Sequence, residues 1–268
     1  MSALKTISTD HYELFYEDAG YGFPIMLLHG FGEDRTIWDD QVIALSKNYR
    51  VLIVDLPGTG KSIQKNEFPI TIDSMADAIH ALLHHEVING CILLGHSMGG
   101  YITLCFAEKY PELLKAWGLI HSTAYADSAE KKIIRTKGIE AMEQYGGHAF
   151  LKNTIPNLFS ATSKQLIPEK INALIDKSAA FQTNSLQAYY ATMRNRPDRT
   201  HVLSSATIPV LFIAGTEDTA APLTDILAQS HLPNKSYIHV LENVGHMSML
   251  EAPGLLNPYL LQFIEEVM

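Results

Sequence analysis

A serine set between glycines is the first place where residue types and spacing point to chemistry. The run Gly95-His96-Ser97-Met98-Gly99-Gly100 follows the apolar residues 91–94 and leads into a helical pattern from about Tyr101. Gly-x-Ser-x-Gly arises by chance in roughly one chain in ten of this length, so its context must decide. A strand that turns sharply into a helix crowds the backbone, and small residues are needed two positions either side of the serine. Such a turn lifts the hydroxyl clear of the sheet, and the helix N-terminus favours negative charge developing beside it.

A serine hydroxyl is a poor nucleophile at neutral pH. It needs a base, and a further group to orient that base. When the nucleophile stands on this kind of turn, an acid and then a histidine follow it along the chain. Beyond Asp218 only His231, His239 and His246 remain. His246 lies in Asn243-Val244-Gly245-His246-Met247, just past the strand-like residues 237–241. Loops at strand ends are where catalytic groups are placed, so His246 is the expected base. His239 sits within the strand and reads as structural, and His231 belongs to a connector before Pro233. The expected acid is Asp218, because the apolar run 210–214 ends in Gly215-Thr216-Glu217-Asp218. Glu217 and Asp127 remain alternatives, and Asp218 also suits capping of the helix after Pro222. An oxyanion needs donors already in place. The backbone N–H groups of Phe31, in Leu27-Leu28-His29-Gly30-Phe31-Gly32, and of Met98 are the expected pair. The His29 ring is expected to hold that loop rather than to take part in chemistry. His121 and Ser122, at the end of a strand, and Met247, beside the base, are candidates to face the substrate pocket; Met249 is a further one.

The elements that must hold these groups are legible as alternating patterns. Apolar runs at residues 25–28, 51–54, 92–94, 117–120 and 210–214 are continuous, as in strands covered on both faces. Helical patterns separate them, which predicts an α/β fold with a mostly parallel sheet. Alternation around residues 12–16 suggests an antiparallel strand before it. Residues 71–86 form the clearest helix, with Ile72, Met75, Ile79, Leu82 and Leu83 on one stripe. Asp73, Asp77, His80 and His84 share the other. Their ends are separated by about 16 Å of helix rise, so one ion cannot be held by all four, and the stripe reads as a solvated face.

Residues 123–200 break the alternation. They contain no clear buried-strand run and read as helices over 128–145, 163–177 and 185–194, punctuated by Pro156, Pro168 and Pro197. The expected organisation is one core domain, residues 1–122 and 201–268, with residues 123–200 as a helical cap. Phe150, Phe159, Phe181, Tyr189, Tyr190 and Met193 in this segment are expected to be mostly core, with some lining an acyl pocket. Two basic stretches, Lys131, Lys132, Arg135 and Lys137, and Arg194, Arg196 and Arg199, suit an anionic substrate but read as solvated helix faces.

Composition bounds the rest. A chain of 268 residues corresponds to about 1.8 domains, which one core with an insertion accounts for. A net charge of −9 leaves no basic footprint, so neither a nucleic acid nor an anionic membrane surface is an expected partner. Residues 87–107 carry no formal charge and are long enough to cross a bilayer, but four glycines with Asn89, His96 and Ser97 suit a strand and turn instead. No secretory leader is evident at the start. Cys91 and Cys105 read as small buried hydrophobes, which suits a reducing cytoplasm. No cofactor or metal is expected, and the chain is compatible with a monomer or a homodimer.

Taken together, these motifs resemble those of α/β-hydrolase-fold serine hydrolases that carry a helical cap. The resemblance covers nearly the whole chain. It rests on His29-Gly30-Phe31-Gly32, Asp55-Leu56-Pro57-Gly58-Thr59-Gly60-Lys61-Ser62, Gly95 to Gly100, Gly215-Thr216-Glu217-Asp218 and Gly245-His246. It implies an eight-stranded, mostly parallel sheet with helices on both faces, and a triad at the strands' carboxyl ends under the cap. The second of these segments also looks like the end of a phosphate-binding loop, but that loop needs a glycine where Asp55 stands. The epoxide-hydrolase and haloalkane-dehalogenase branches carry aspartate at the position of Ser97, so neither matches. The implied activity is hydrolysis of a small to medium carboxylic ester through an acyl-enzyme. The same triad also serves lactonases, carbon–carbon bond hydrolases and perhydrolases. Cofactor-free haloperoxidases and non-catalytic hormone receptors share the fold as well. Retention of Ser97, Asp218 and His246 counts against the receptors.

Overall fold

The computed structural model describes residues 2–65 and 68–268; Met1, Asn66 and Glu67 lie outside the described residues. Among the described residues nine strands form one sheet: β1 (Ser2–Ser8), β2 (Tyr12–Gly20), β3 (Pro24–Leu28), β4 (Arg50–Val54), β5 (Ile63–Gln64), β6 (Cys91–His96), β7 (Leu114–Ile120), β8 (Val210–Gly215) and β9 (Ser236–Leu241). Their order is β1-β2-β4-β3-β6-β7-β8-β9, with β5 paired to β2. β1 and β2 run antiparallel to their neighbours, and every pairing from β4 to β9 is parallel. The eight-stranded expectation holds along this path, and the short β5 is an addition.

Alternate side chains of the central strands go to opposite faces. Met26 and Leu28 of β3, with Leu52 and Val54 of β4, join a core that includes α2 (Ile72–His85) and α3 (Met98–Lys109). Ile25, Leu27, Val51 and Ile53 join a second core with α1 (Asp39–Leu45) and the C-terminal helix. Both faces are therefore dry, which is why these strands read as continuous apolar runs.

Between β7 and β8 the chain is helical: α4 (Ala129–Tyr145), α5 (Gly147–Thr154), α6 (Ala161–Leu166), α7 (Pro168–Lys177), α8 (Thr183–Asn195) and α9 (Thr200–Ser204). The single helix expected over 163–177 is two helices. Pro168 has no N–H to continue α6 and instead begins α7 at its first turn. Helices α10 (Leu223–Gln229), α11 (Ser248–Glu251) and α12 (Pro253–Val267) complete the chain. The helical segment is tied to the sheet side through Thr192, whose hydroxyl accepts the Ile72 amide of α2 (2.9 Å), and through Tyr189, whose hydroxyl donates to the Pro57 carbonyl (2.8 Å). No described helix is long and apolar enough to cross a membrane.

The basic stretches depart from expectation. Lys132 and Lys137 are exposed, but Arg196 and Arg199 are only 7% and 5% accessible. Helical periodicity does not disclose this, because both follow the last turn of α8, where the chain folds back onto α3. Arg199 pairs there with Glu108 (2.9 Å). Cys91 and Cys105 are buried free thiols, as expected, and burial pushes both up to about 12.

α3 packs on β6 with backbone against backbone. A β-carbon on Gly95 would lie 2.2 Å from the Gly99 carbonyl oxygen. Gly95→Ala should therefore cost about 2–4 kcal/mol, read as a lowered urea midpoint with unchanged slope. An unchanged midpoint would mean that α3 can move away from β6 freely.

Candidate active site

Ser97 stands at the apex between β6 and α3 with φ 52° and ψ −114°. This region is sparsely populated for a residue with a β-carbon and costs on the order of 1–3 kcal/mol. The surroundings hold it there. The Ser97 amide donates to the Ile120 carbonyl (3.0 Å), and the Ser97 carbonyl accepts from Ser122 Oγ (2.7 Å) and the Gly100 amide (2.9 Å). The glycines are a matter of space. A β-carbon at Gly99 would be 2.5 Å from the Leu28 carbonyl oxygen, and one at Gly100 would be 2.4 Å from Ser122 Oγ. The Ser97 side chain remains partly exposed.

His246 and Asp218 meet at the carboxyl ends of β9 and β8. His246 Nδ1 lies 2.8 Å from Asp218 Oδ2. Asp218 Oδ1 accepts the Ala220 and Ala221 amides, both at 2.9 Å, so the residue also caps the following turn. Of the alternatives, Glu217 accepts the Ala161 amide at the surface, and Asp127 is held between two arginines. Neither is bonded to His246. Burial opposes the Asp218 charge, but His246 and the hydrogen bonds from His121 and His246 reverse this and hold the carboxyl far below its usual range. Burial alone would lower the His246 pKa; the adjacent Asp218 charge outweighs it and raises the imidazole above its ordinary value. The His246 ring is 4.8 Å from that of His96, the residue before Ser97. Among the described residues, Asp218 is the one side chain hydrogen-bonded to His246, through Nδ1, which leaves Nε2 without a side-chain partner.

The three residues expected at the pocket are all buried, and their partners are protein groups. His121 Nδ1 lies 3.0 Å from Asp218 Oδ2, so two imidazoles share one carboxylate oxygen. Burial lowers the His121 pKa against the pull of Asp218, and since a carboxylate oxygen only accepts, Nδ1 is the donor in this bond. Ser122 holds the Ser97 carbonyl, and Met247 is fully buried with its amide donated to Glu251. His121, Asp218 and His246 also form the one cluster with metal-ligand spacing among the described residues. The two Nδ1–H bonds already account for that proximity.

The Phe31 and Met98 amides donate to no acceptor within the described protein, as an oxyanion site requires. The loop that carries Phe31 is braced from two sides. His29 Nδ1 faces the Gly30 carbonyl (2.8 Å), and its Nε2 accepts the Leu56 amide (3.0 Å). His29 thus supports the loop, as expected. Asp55 accepts the Arg35 and Lys61 amides (both 2.9 Å), and a β-carbon at Gly60, where φ is 52°, would lie 2.3 Å from the Asp55 carboxyl. Gly60 thus makes room for this carboxylate, and Gly58, at φ 83°, for Ser185.

Two acids escaped the sequence reading. Glu33 Oε2 accepts the Gly30 amide (2.7 Å) and faces His96 Nδ1 (3.1 Å), while His96 Nε2 faces the His246 carbonyl (2.9 Å). Burial would raise its pKa, but His96 and the Gly30 amide hold the carboxyl below its ordinary value. Glu251 accepts the amides of Gly245 (3.1 Å), Met247 (2.9 Å) and Ser160 (2.9 Å). The available signal was an isolated acid close to each motif, one residue past Gly32 and five past His246. His239 stacks on Tyr259 (4.0 Å) and is structural, as expected, and His231 is exposed.

A serine at positive φ, two amides without a protein acceptor and a carboxylate-bound histidine, all on a mostly parallel sheet, are features of an α/β hydrolase. The sequence pattern of the alpha/beta hydrolase family matches residues 25–258, and the chain belongs to that family. A thermophilic esterase from Thermogutta terrifontis is 30% identical, with a TM-score of 0.92 and 99% of each chain covered. The hydrolase YugF of Bacillus subtilis (strain 168) is 28% identical, again over 99% of each chain. A 2-hydroxy-6-oxononadienedioate/2-hydroxy-6-oxononatrienedioate hydrolase of Burkholderia vietnamiensis is 28% identical, covering 93% of this chain and 90% of the relative.

Glu251→Ala removes the acceptor of three amides at the His246 loop. It should lower stability by about 1–3 kcal/mol in chemical denaturation. Unchanged stability would mean that water satisfies those amides equally well.

Proposed function

We propose that the protein is a serine hydrolase of small to medium carboxylic esters, working through an acyl-enzyme on Ser97, His246 and Asp218. The observation that carries this reading is the His246–Asp218 bond of 2.8 Å, beside a serine held at positive φ. His246 Nε2 takes the proton as Ser97 Oγ attacks the carbonyl, and the resulting imidazolium is stabilised by Asp218. The Phe31 and Met98 amides receive the oxyanion. Protonated His246 then passes its proton to the leaving alcohol. In the second step it deprotonates a water that attacks the acyl-enzyme, and Ser97 is restored.

Residues 123–200 act in this reading as a cap that sets substrate choice. Phe159, Phe181, Tyr189 and Met193 are buried there, whereas Phe150 and Tyr190 keep accessible surface, and in this reading these two are the ones available to an acyl group. The ester assignment draws support from the 30% identical esterase. The relative named for 2-hydroxy-6-oxononadienedioate supports a second reading, hydrolysis of a carbon–carbon bond on the same residues. A panel of p-nitrophenyl esters, lactones and β-diketones separates the two. The buried free thiols suit a reducing compartment such as the cytoplasm.

Ser97→Ala should lower kcat for p-nitrophenyl esters by about 10³-fold or more and abolish labelling by a fluorophosphonate. Turnover equal to wild type would remove Ser97 from the mechanism. His246 must be neutral to accept a proton, and its pKa is raised by Asp218. The acid limb of kcat/KM should therefore lie above the ordinary imidazole pKa, with activity falling as pH drops through it. Asp218→Asn should move that limb to lower pH and reduce kcat by about 10⁴-fold. An unmoved limb would show that Asp218 does not set the titration of the base.

A further inference from the structure

Asp127 follows β7 and precedes α4, and its side chain is almost wholly buried. Oδ2 accepts Arg135 Nε at 2.6 Å, and Oδ1 accepts Arg196 Nη1 at 2.7 Å. One carboxylate therefore meets two guanidinium groups, whose side chains are 18% and 5% exposed. A net positive charge remains in a place largely withdrawn from water, which is costly unless something pairs with it. Arg196 is committed to structure. It also donates to the Met193 carbonyl (2.7 Å) and lies 3.8 Å over the Tyr101 ring. Arg135 is not. Among the described residues its one hydrogen bond is made through Nε, so the Nη1 and Nη2 fork has no protein acceptor. Neither of these nitrogens is fully buried, and the guanidinium lies 5.0 Å from the Tyr190 ring.

Packed rings connect Arg135 to the loop beside the proposed nucleophile. The Tyr190 ring packs 4.5 Å from Phe31, which bears one oxyanion amide. Tyr101 lies one turn along α3 from Ser97, about 6 Å of helix rise. Ser97, Phe31, Tyr101, Arg135 and Tyr190 all keep accessible surface. Asp127 needs only one guanidinium for neutrality, and Arg196 already supplies it.

We propose that Arg135 binds a carboxylate carried by the substrate, so that the preferred esters bear a free acid a few bonds from the scissile carbonyl. This rests on Ser97 as nucleophile. The planar fork matches a carboxylate with two parallel N–H bonds, and its charge offsets the repulsion of an anion by a chain of net charge −9.

The test compares p-nitrophenyl hydrogen glutarate with its neutral methyl ester. Wild type should favour the acid by about tenfold or more in kcat/KM. In Arg135→Gln that preference should collapse, chiefly through KM for the charged ester, and Arg135→Lys should restore part of it. Equal turnover of the two esters by wild type, or a preference kept in Arg135→Gln, overturns the proposal. If Arg135→Gln does not fold, the wild-type ratio decides alone. Should neither ester turn over and the fluorophosphonate fail to label, the hydrolase reading falls, and calorimetry with glutarate then tests the anion site. Binding by wild type that weakens about tenfold in Arg135→Gln supports the site, and absence of binding by wild type removes it.

Discussion

The structure depends on how closely three backbone segments meet at Ser97. The end of β3, the end of β6 and the first turn of α3 approach so nearly that Gly95 and Gly99 have no room for a β-carbon, and Ser122 leaves none at Gly100. That closeness forces the positive φ at Ser97 and projects its hydroxyl above the sheet. It also leaves the Met98 amide at the helix start with nothing to bond to. Position, strain and an unpaired donor thus arise from one steric arrangement, whose energy comes from the two dry cores on either side of the sheet.

A second requirement is to hold charge without water. Asp218 and Glu33 are both buried acids, and each meets a histidine and at least one backbone amide. The two units flank Ser97: Glu33 orients His96 and the Gly30 turn on one side, and Asp218 orients His246 on the other. They join where His96 Nε2 meets the His246 carbonyl. Removing either acid would leave donors buried and unsatisfied, a heavier loss than any one hydrogen bond contributes.

Much of this was legible in the sequence, for reasons that differ by residue. The central strands announced themselves because burial on both faces makes them continuously apolar. Ser97 and His246 stand out because each sits in a short local motif. Spacing favours Asp218 over Glu217 and Asp127, and the tertiary contact shows that of the three it alone is bonded to His246. Spacing does not single out Glu33 or Glu251, since what they do is set by which amides approach them. It likewise does not show that Arg135 and Arg196 meet Asp127, because periodicity gives the stripe of a helix but not what lies opposite it. β1 went unread because its side chains are largely exposed and their apolar alternation is weak.

The carboxylate of Glu251 ties the loop bearing His246 to Ser160, and the His246 amide itself donates to the Leu158 carbonyl at 2.7 Å. His246 and this stretch of the helical segment are one mechanical piece. In the proposed reaction, an acyl group that pushes on residues 158–160 pushes on the same backbone that sets the imidazole. In that reading bulk pulls the proton acceptor out of line in the act of binding, and is rejected through the rate of chemistry as well as through affinity.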